Sequence, residues 1–326
     1  MVLVTGANGL LGSYVCRTLL QSNQPFIGLV RENSDLRLLK DIKDQIDLRY
    51  GDIRYIEDIE SIITACNVII HCAATVSYDP SQKEKLFDVN VGGTANLVNL
   101  AITHQIDYFI HISSVAAIGR NKEEGTINET EKWQNEIKTT AYAESKHLSE
   151  LEVWRGMAEG LNAVVLNPSL IIGPGDWEKS SSKLIKYVWD EKPFYTKGLL
   201  NYVDLRDVVK VIILMLDKRL SDSRFILNGG ILSYKEFFEQ VATKLNKKAP
   251  HIEAGKWLTR FALASQKIKS LFTDKEPIIT KETARVSKNK IYFDNAKVKN
   301  ELGYTFTPIE DTIDWTCKYY LEQETN

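Results

Sequence analysis

Thr5-Gly6-Ala7-Asn8-Gly9-Leu10-Leu11-Gly12 stands between a short apolar run and a helix-like stretch, and few architectures contain that junction. A strand that turns through glycines straight into a helix leaves the first N–H groups of the helix open to an anion. Gly6 suits the tight turn, Gly9 lets the backbone approach a pyrophosphate, and Gly12 lets the helix lie close to the sheet. The spacing is GxxGxxG, where many dehydrogenases carry GxGxxG. A structural β–α turn would use one or two of these glycines. The strand before and the helix after point further, to a bound dinucleotide, with Gly6, Asn8, Gly9, Leu10, Leu11 and Gly12 as its candidate contacts.

The chain continues in the same rhythm. Apolar, β-branched runs at 2–5, 26–31, 47–50, 68–72, 108–113 and 163–167 alternate with helical patterns at 10–21, 55–65, 93–103 and 141–159. Near-continuous apolar strands separated by helices predict a parallel sheet covered on both faces, a doubly wound α/β (Rossmann) fold. After Pro168 the rhythm breaks at Gly173-Pro174-Gly175, and 202–217 and 224–227 read as a late return to the sheet. Helices are expected at 233–246, 255–272 and 308–322. The expected organisation is a dinucleotide-binding domain of residues 1–168 plus about 202–228. A smaller, mostly helical substrate-binding unit of about 169–201 and 229–326 is interwoven with it. Lys+Arg (41) nearly balances Asp+Glu (43), which argues against a nucleic-acid partner. Four cysteines without CxxC pairing or ligand spacing to the histidines suggest a reduced, cytoplasmic setting and no metal site. The first apolar run is too short for a membrane span.

The end of the second strand distinguishes the cofactors. An acid there accepts from a ribose hydroxyl, whereas a cation accommodates a 2′-phosphate. Arg31 favours NADP(H); Glu32 beside it keeps NAD(H) open, and a solvated strand-end charge is the plain alternative. Asp52 suits the adenine amino group, or else a helix N-cap. Tyr142 and Lys146 are four apart at the start of a predicted helix and so share a face. A nearby ammonium lowers a phenol's pKa, which makes the pair a candidate acid/base. Ser113 and Ser114 close the fifth strand, where a hydroxyl can meet a substrate oxygen or simply cap a turn. Asn90 sits where a helix could be interrupted and could hold a water that links Lys146 to solvent, or serve as a turn residue.

Together these motifs resemble the extended short-chain dehydrogenase/reductases (the NAD-dependent epimerase/dehydratase superfamily). TGANGLLG, Gly51-Asp52-Ile53, His71-Cys72-Ala73-Ala74, DVNVGGTANL, HISSVAAIG, Tyr142 with Lys146, NPSLIIGPGD and VDLRDV occur in the family's order over nearly the whole chain. The resemblance implies a catalytic Ser114–Tyr142–Lys146 set with Asn90 as fourth member. It places Asp52, Ile53, Ala73, Ala74 and Pro168 along the dinucleotide, with Tyr142 and Lys146 also beside it. It further implies a homodimer packed through helices 93–103 and 141–159. The wording of 165–175 (VLNPSLIIGPG) looks like the dihydroflavonol-reductase-like and 3β-hydroxysteroid-dehydrogenase-like members. At 199–202, Leu-Leu-Asn-Tyr stands where many epimerases carry Arg-Asp-Tyr, although Arg206 or Lys197 could still hold a sugar nucleotide.

The expected activity is NADP(H)-dependent oxidation or reduction at a carbonyl/secondary alcohol of a small, partly apolar substrate. The alternatives are an NAD-dependent nucleotide-sugar epimerase or dehydratase, and a non-enzymatic NADP-binding sensor or scaffold. On the substrate side, Trp257, Phe261, Ala264, Ile268 and Phe272 recur at helical spacing, as a lid helix, a substrate wall or a shallow membrane contact. Tyr78, Trp177 and Tyr195 are substrate contacts or core residues.

Overall fold

A computed structural model of the chain describes residues 1–119, 124–134, 139–179, 181–254 and 290–325. β1 (Val2–Thr5) runs into α1 (Leu10–Gln21), followed by β2 (Phe26–Val30), β3 (Asp47–Tyr50), α2 (Ile56–Ile63), β4 (Val68–His71), α3 (Lys83–Phe87), α4 (Gly93–Thr103) and β5 (Tyr108–Ile112). Then come β6 (Glu124–Ile127), α5 (Ala141–Ala158), β7 (Ala163–Pro168), β8 (Leu170–Ile172), α6 (Ser182–Trp189), β9 (Phe194–Tyr195), β10 (Leu199–Asp204) and α7 (Leu205–Lys218). The chain continues through β11 (Ser223–Leu227), β12 (Gly230–Ser233), α8 (Tyr234–Leu245), β13 (Ile252–Glu253), β14 (Lys290–Phe293), α9 (Ala296–Leu302) and α10 (Ile309–Thr325).

Seven strands form one parallel sheet in the order β11-β7-β5-β4-β1-β2-β3. Every residue of β1, β2, β4, β5 and β7 is buried, which is why these strands read as unbroken apolar text. Successive residues serve opposite faces: Val4 and Ile70 pack with Val15, Val208 and Ile212, while Leu3 and Ile69 pack with Leu97 and Val153. β3 is the edge, and there the text turns polar, with Arg49 paired to Asp47 at 2.7 Å in solvent. The order reverses between β1 and β4, and that crevice is where ligands bind in such sheets.

The late return is built differently from the sequence reading. Residues 202–204 finish β10, which pairs with β8 and β12 in a separate three-stranded sheet. α7 packs on the α1 side of the large sheet, and only β11 joins it, beside β7. The smaller unit gathers Ile172, Ile185, Leu200, Phe237, Val241 and Tyr320 into its own core. Its α8 starts at a capping box between Ser233 and Glu236 and ends at Asn246 in a left-handed conformation. Asp204, fully buried, ties the units together: it caps α7 by accepting from the Arg206 N–H at 2.7 Å and accepts from Thr312 Oγ at 2.8 Å. The helix expected at 255–272, with its apolar stripe, lies outside the described residues. Among the described residues no helix is long and apolar enough to cross a membrane.

Candidate active site

The glycine turn lies at the β1/β4 switch point. Gly6 has φ +66°, and a Cβ there would stand 2.7 Å from Ala73 Cα, at the end of β4. Gly12 lies so close beneath the turn that a Cβ would sit 2.2 Å from the Gly6 carbonyl oxygen. The Gly9 N–H donates to that oxygen at 2.9 Å, and α1 begins with no side-chain cap and no acid in its first turn. The helix N-terminus is therefore open to an anion, and the turn fits a dinucleotide pyrophosphate. Leu10 packs against Gly175, and Leu11 turns into the core at 8 % exposure. These two can offer backbone more readily than side chain. Asn8 reaches across to the Asp35 carbonyl with its amide at 3.0 Å.

Arg31 follows β2 and is exposed. Asp52, after β3, is close enough to feel its charge. Asp52 does not cap α2, whose N-cap is Tyr55. Its carboxylate accepts instead from the Arg54 backbone N–H at 3.0 Å and from Arg54 Nη2 at 2.7 Å. Burial works to raise its pKa, but the bonds to Arg54, with the charges of Arg54 and Arg31, leave it lowered. Ile53 is a core residue, wedged beneath Gly93 at the start of α4. Ala73, half-buried, donates from its N–H to Thr5 Oγ at 3.2 Å, and Ala74 is exposed beside it. Pro168 is buried at the end of β7, opposite Leu227 of β11.

α5 delivers Tyr142 and Lys146 to the same crevice. Thr140 caps it, accepting from the Ala143 N–H at 3.0 Å, and so fixes which face of the first turn points inward. The Ser114 hydroxyl, just past β5, stands beside the Tyr142 phenol, lowering its pKa, and accepts from the Ala116 N–H at 3.1 Å. Ser113 is buried with a hydroxyl that makes no hydrogen bond. Tyr78 meets the Tyr142 ring edge-on at 5.9 Å. Lys146 is 2 % exposed, and its Nζ donates to the Ile112 carbonyl at 2.9 Å.

One expectation changes here. Lys146 was expected to lower the phenol's pKa. In the structure burial raises it, Tyr78 adds to the rise, and the Ser114 bond only partly opposes. The physical reason is that the Lys146 ammonium is anchored on Ile112, not on the phenol. Lys146 is itself pushed down to about 8 by burial, against the upward pull of Glu150 and Cys72. Asn90 does lie in an interrupted helix, a π-turn over Asp88–Gly92, and its amide is engaged with protein atoms. Its Oδ1 accepts from the Thr75 N–H at 2.7 Å, and its Nδ2 donates to the Thr75 carbonyl at 2.9 Å and to Ser145 Oγ at 3.0 Å. Asn90 thus clamps the strand-end segment of Ala73 and Ala74 to α5.

The sequence profile of the NAD dependent epimerase/dehydratase family matches residues 2–228. The chain belongs to that family. The match covers the glycine turn, the sheet and α5, and the family's enzymes act on the CH–OH/C=O couple with a nicotinamide dinucleotide. The chain is 31% identical to sterol demethylase protein B of Methylococcus capsulatus over 70% of its own length and 69% of that protein's. It is 26% identical to cinnamoyl-CoA reductase 1 of Petunia hybrida over 99% and 92% of the two chains. Among family structures, the UDP-glucose 4-epimerase of Thermotoga maritima with UDP-glucose superimposes with a TM-score of 0.81 at 20% identity, covering 99% of each chain. That likeness speaks to the fold.

On the substrate side of this family member, Trp177 takes its core alternative, and Arg206 and Lys197 are paired within the protein. Trp177 packs in an aromatic cluster with Tyr320 at 4.0 Å and Trp189 at 5.5 Å. Arg206 forks onto Asp204 at 2.6 Å and lies over Trp315, and Lys197 pairs with Glu253 at 3.0 Å. Tyr195 is in β9 and lines the smaller core, whereas Tyr78 does reach the crevice. Sequence reasoning missed Thr75 and Ser145, the partners of Asn90, and missed Glu150. Glu150 stands four residues beyond Lys146, the same signal that paired Tyr142 with Lys146.

Proposed function

We propose that the chain is an NADP(H)-dependent reductase/dehydrogenase acting on a carbonyl/secondary alcohol of a small, partly apolar substrate. The observation that carries this reading is the meeting of the Ser114 hydroxyl with the Tyr142 phenol in the crevice, with Lys146 anchored one turn further along α5. Residues 1–168 with about 202–228 bind the dinucleotide in this reading, and 169–201 with 229–326 hold the substrate. Bound over Gly6–Gly12 and along Ala73, Ala74 and Pro168, the dinucleotide supplies the hydride. Ser114 and Tyr142 hold the substrate oxygen, and Tyr142 gives its proton to that oxygen as negative charge develops there. Burial holds the Tyr142 phenol protonated across neutral pH, so it has a proton to give. Asn90 keeps the Ala73–Thr75 segment in place beside α5.

Engagement of Arg206 and Lys197 within the protein leaves fewer cations for a sugar diphosphate and weighs against the epimerase or dehydratase reading. Titration with NADPH and NADH, followed by turnover on cinnamoyl-CoA, a 3-oxosteroid and aromatic aldehydes, tests the proposal. NADPH is expected to bind more tightly, and Arg31→Asp to weaken it about tenfold or more while sparing NADH, since one charge-assisted bond to phosphate is lost. Equal or tighter NADH binding by the wild-type protein would remove Arg31 from the argument. Firmly retained NAD together with a nucleotide sugar would instead support the epimerase reading.

The same reading includes a homodimer through α4 and α5 in the cytoplasm. Leu151 of α5 is 47 % exposed, an apolar side chain such an interface would cover. Light scattering on the eluted protein is expected to give twice the chain mass, and a chain mass at working concentration would reject the dimer.

A further inference from the structure

Two loops far apart in the chain meet over the glycine turn and the start of α1. The first, after β2, is tied to the turn by Asn8, whose Nδ2 donates to the Asp35 carbonyl at 3.0 Å. The second, after β8, lies on the first residue of α1, where a Cβ on Gly175 would stand 2.7 Å from Leu10 Cδ1. Tyr320 of α10 fixes this second loop from behind: its hydroxyl accepts from the Gly175 N–H and donates to the Gly175 carbonyl, each at 3.1 Å. Between these anchors four charged side chains close a ring. Arg37 Nη2 lies 2.7 Å from Asp35 Oδ2 and 2.9 Å from Asp176 Oδ2, and Lys179 Nζ lies 3.2 Å and 3.3 Å from the same two oxygens.

Each loop already balances its own charge, Asp35 with Arg37 in one and Asp176 with Lys179 in the other. The two crossed pairs do something else. Arg37–Asp176 and Lys179–Asp35 join segments 139 and 144 residues apart in the chain, above the turn that fits a pyrophosphate. The side chains of Arg37 and Lys179 are 69 % and 59 % exposed, whereas that of Asp176 is 9 % exposed. Exposed ion pairs are individually weak and are screened by salt. A ring of them on a carboxylate largely out of water holds two loops together without locking them. The base of the first loop is secured separately: Arg17 of α1 donates to the Leu38 carbonyl at 2.6 Å and pairs with Asp41, and Leu39 is fully buried. Breaking the crossed pairs therefore frees the loop tips and leaves their roots in place.

We propose that Asp35, Arg37, Asp176 and Lys179 form an ionic clasp over the bound dinucleotide, which opens each time the cofactor is exchanged. The proposal rests on the reading given above, which lays the pyrophosphate over Gly6–Gly12 and has the dinucleotide leave after every turnover. With the clasp shut, the two loop tips bridge the turn and block the way in and out. Loosening the clasp speeds both passages. A change of local charge alone acts on them in opposite senses, because the ligand is an anion: added positive charge favours entry and slows release. Asp176→Asn therefore carries a sign. Acting only through charge, it would slow release of the dinucleotide; acting through the clasp, it speeds release.

The test is stopped-flow fluorescence with whichever of NADPH and NADH the wild-type protein binds more tightly. Entry is followed on mixing, and release by chasing the complex with an excess of the oxidised dinucleotide. Asp176→Asn is expected to release the reduced dinucleotide about fivefold faster, the scale of a lost ion-pair contact. Release from the wild-type protein is expected to quicken between low salt and about 0.5 M potassium chloride, and less so in Asp176→Asn. Lys179→Met, at an exposed side chain, keeps the test open if Asp176→Asn fails to fold. It is expected to quicken release with entry no slower than in the wild type, whereas charge alone would slow entry. Lys244→Met breaks the 2.7 Å pair with Asp314 between α8 and α10 and is the control, expected to leave both rates unchanged. Release that is unchanged or slower in Asp176→Asn, slowed entry in Lys179→Met, or an equal effect in Lys244→Met overturns the proposal. If the wild-type protein binds the dinucleotide, such a result defeats the clasp alone. Binding of neither dinucleotide defeats the clasp and the proposed function together.

Discussion

Tyr142→Phe is expected to lower kcat by about 10²–10⁴-fold, the usual contribution of a positioned general acid, and to leave NADPH affinity intact. The substitution removes one oxygen and little else. The ring keeps its edge-on contact with Tyr78, the Thr140 cap of α5 is untouched, and Lys146 remains on the Ile112 carbonyl. Only the Ser114 hydroxyl loses a partner, and it still accepts from the Ala116 N–H. The effect is therefore confined to the proton given to the substrate oxygen and to one hydrogen bond holding that oxygen. Stopped-flow hydride transfer, read as loss of NADPH absorbance, separates this from slow product release. A variant that transfers hydride at the wild-type rate would show that another group supplies the proton, and the reading of the crevice would fail with it.

That Tyr142 and Lys146 lie together was legible in the sequence because a helix has a fixed period, and four residues always return to one face. The glycine turn was legible for a similar reason: each glycine answers a local backbone requirement, met here by the φ of Gly6 and the contact under Gly12. The parallel sheet followed from strands apolar on both faces. The electrostatics were not legible, because they depend on what closes around a side chain. The pattern YxxxK says that an ammonium can approach a phenol, but not that the Ile112 carbonyl will hold it, nor that Tyr78 will help cover the ring. Asn90 was placed rightly at a helix interruption, yet its partners Thr75 and Ser145 are 15 and 55 residues away. Asp52 shows the reverse case: its partner Arg54 is only two residues on, a local signal in the sequence itself. Residues 202–217 and 224–227 read as a return to the sheet, but only 224–227 join it, as β11 beside β7; 202–204 end β10 in a smaller sheet with β8 and β12, and 205–217 are helix.

Gly12→Ala sets two physical effects against each other and so has a sign worth predicting. Gly12 is in the first turn of α1, where alanine is intrinsically the better helix former by about 1 kcal/mol. Against this, the new methyl would stand 2.2 Å from the Gly6 carbonyl oxygen, 2.9 Å from its carbon and 3.0 Å from Ala7 Cα. All three are backbone atoms of the turn, which cannot swing away as a side-chain end could. Either α1 lifts from the turn or the turn opens, and overpacking of this kind costs about 1–3 kcal/mol. The contact outweighs the propensity, and thermal unfolding is expected at a lower temperature. Cofactor binding loses more, because the displaced atoms carry the N–H groups meant for the pyrophosphate; an affinity loss of about tenfold corresponds to 1.4 kcal/mol, and at least that is expected for NADPH. Gly92→Ala supplies the control, since a Cβ there meets nothing within 4 Å and the backbone is already helical. It should leave both measurements at or above the wild-type values. If the Gly12 variant matched the Gly92 variant in unfolding temperature and in NADPH titration, the turn would be looser than these distances require, and the pyrophosphate would have to be placed elsewhere.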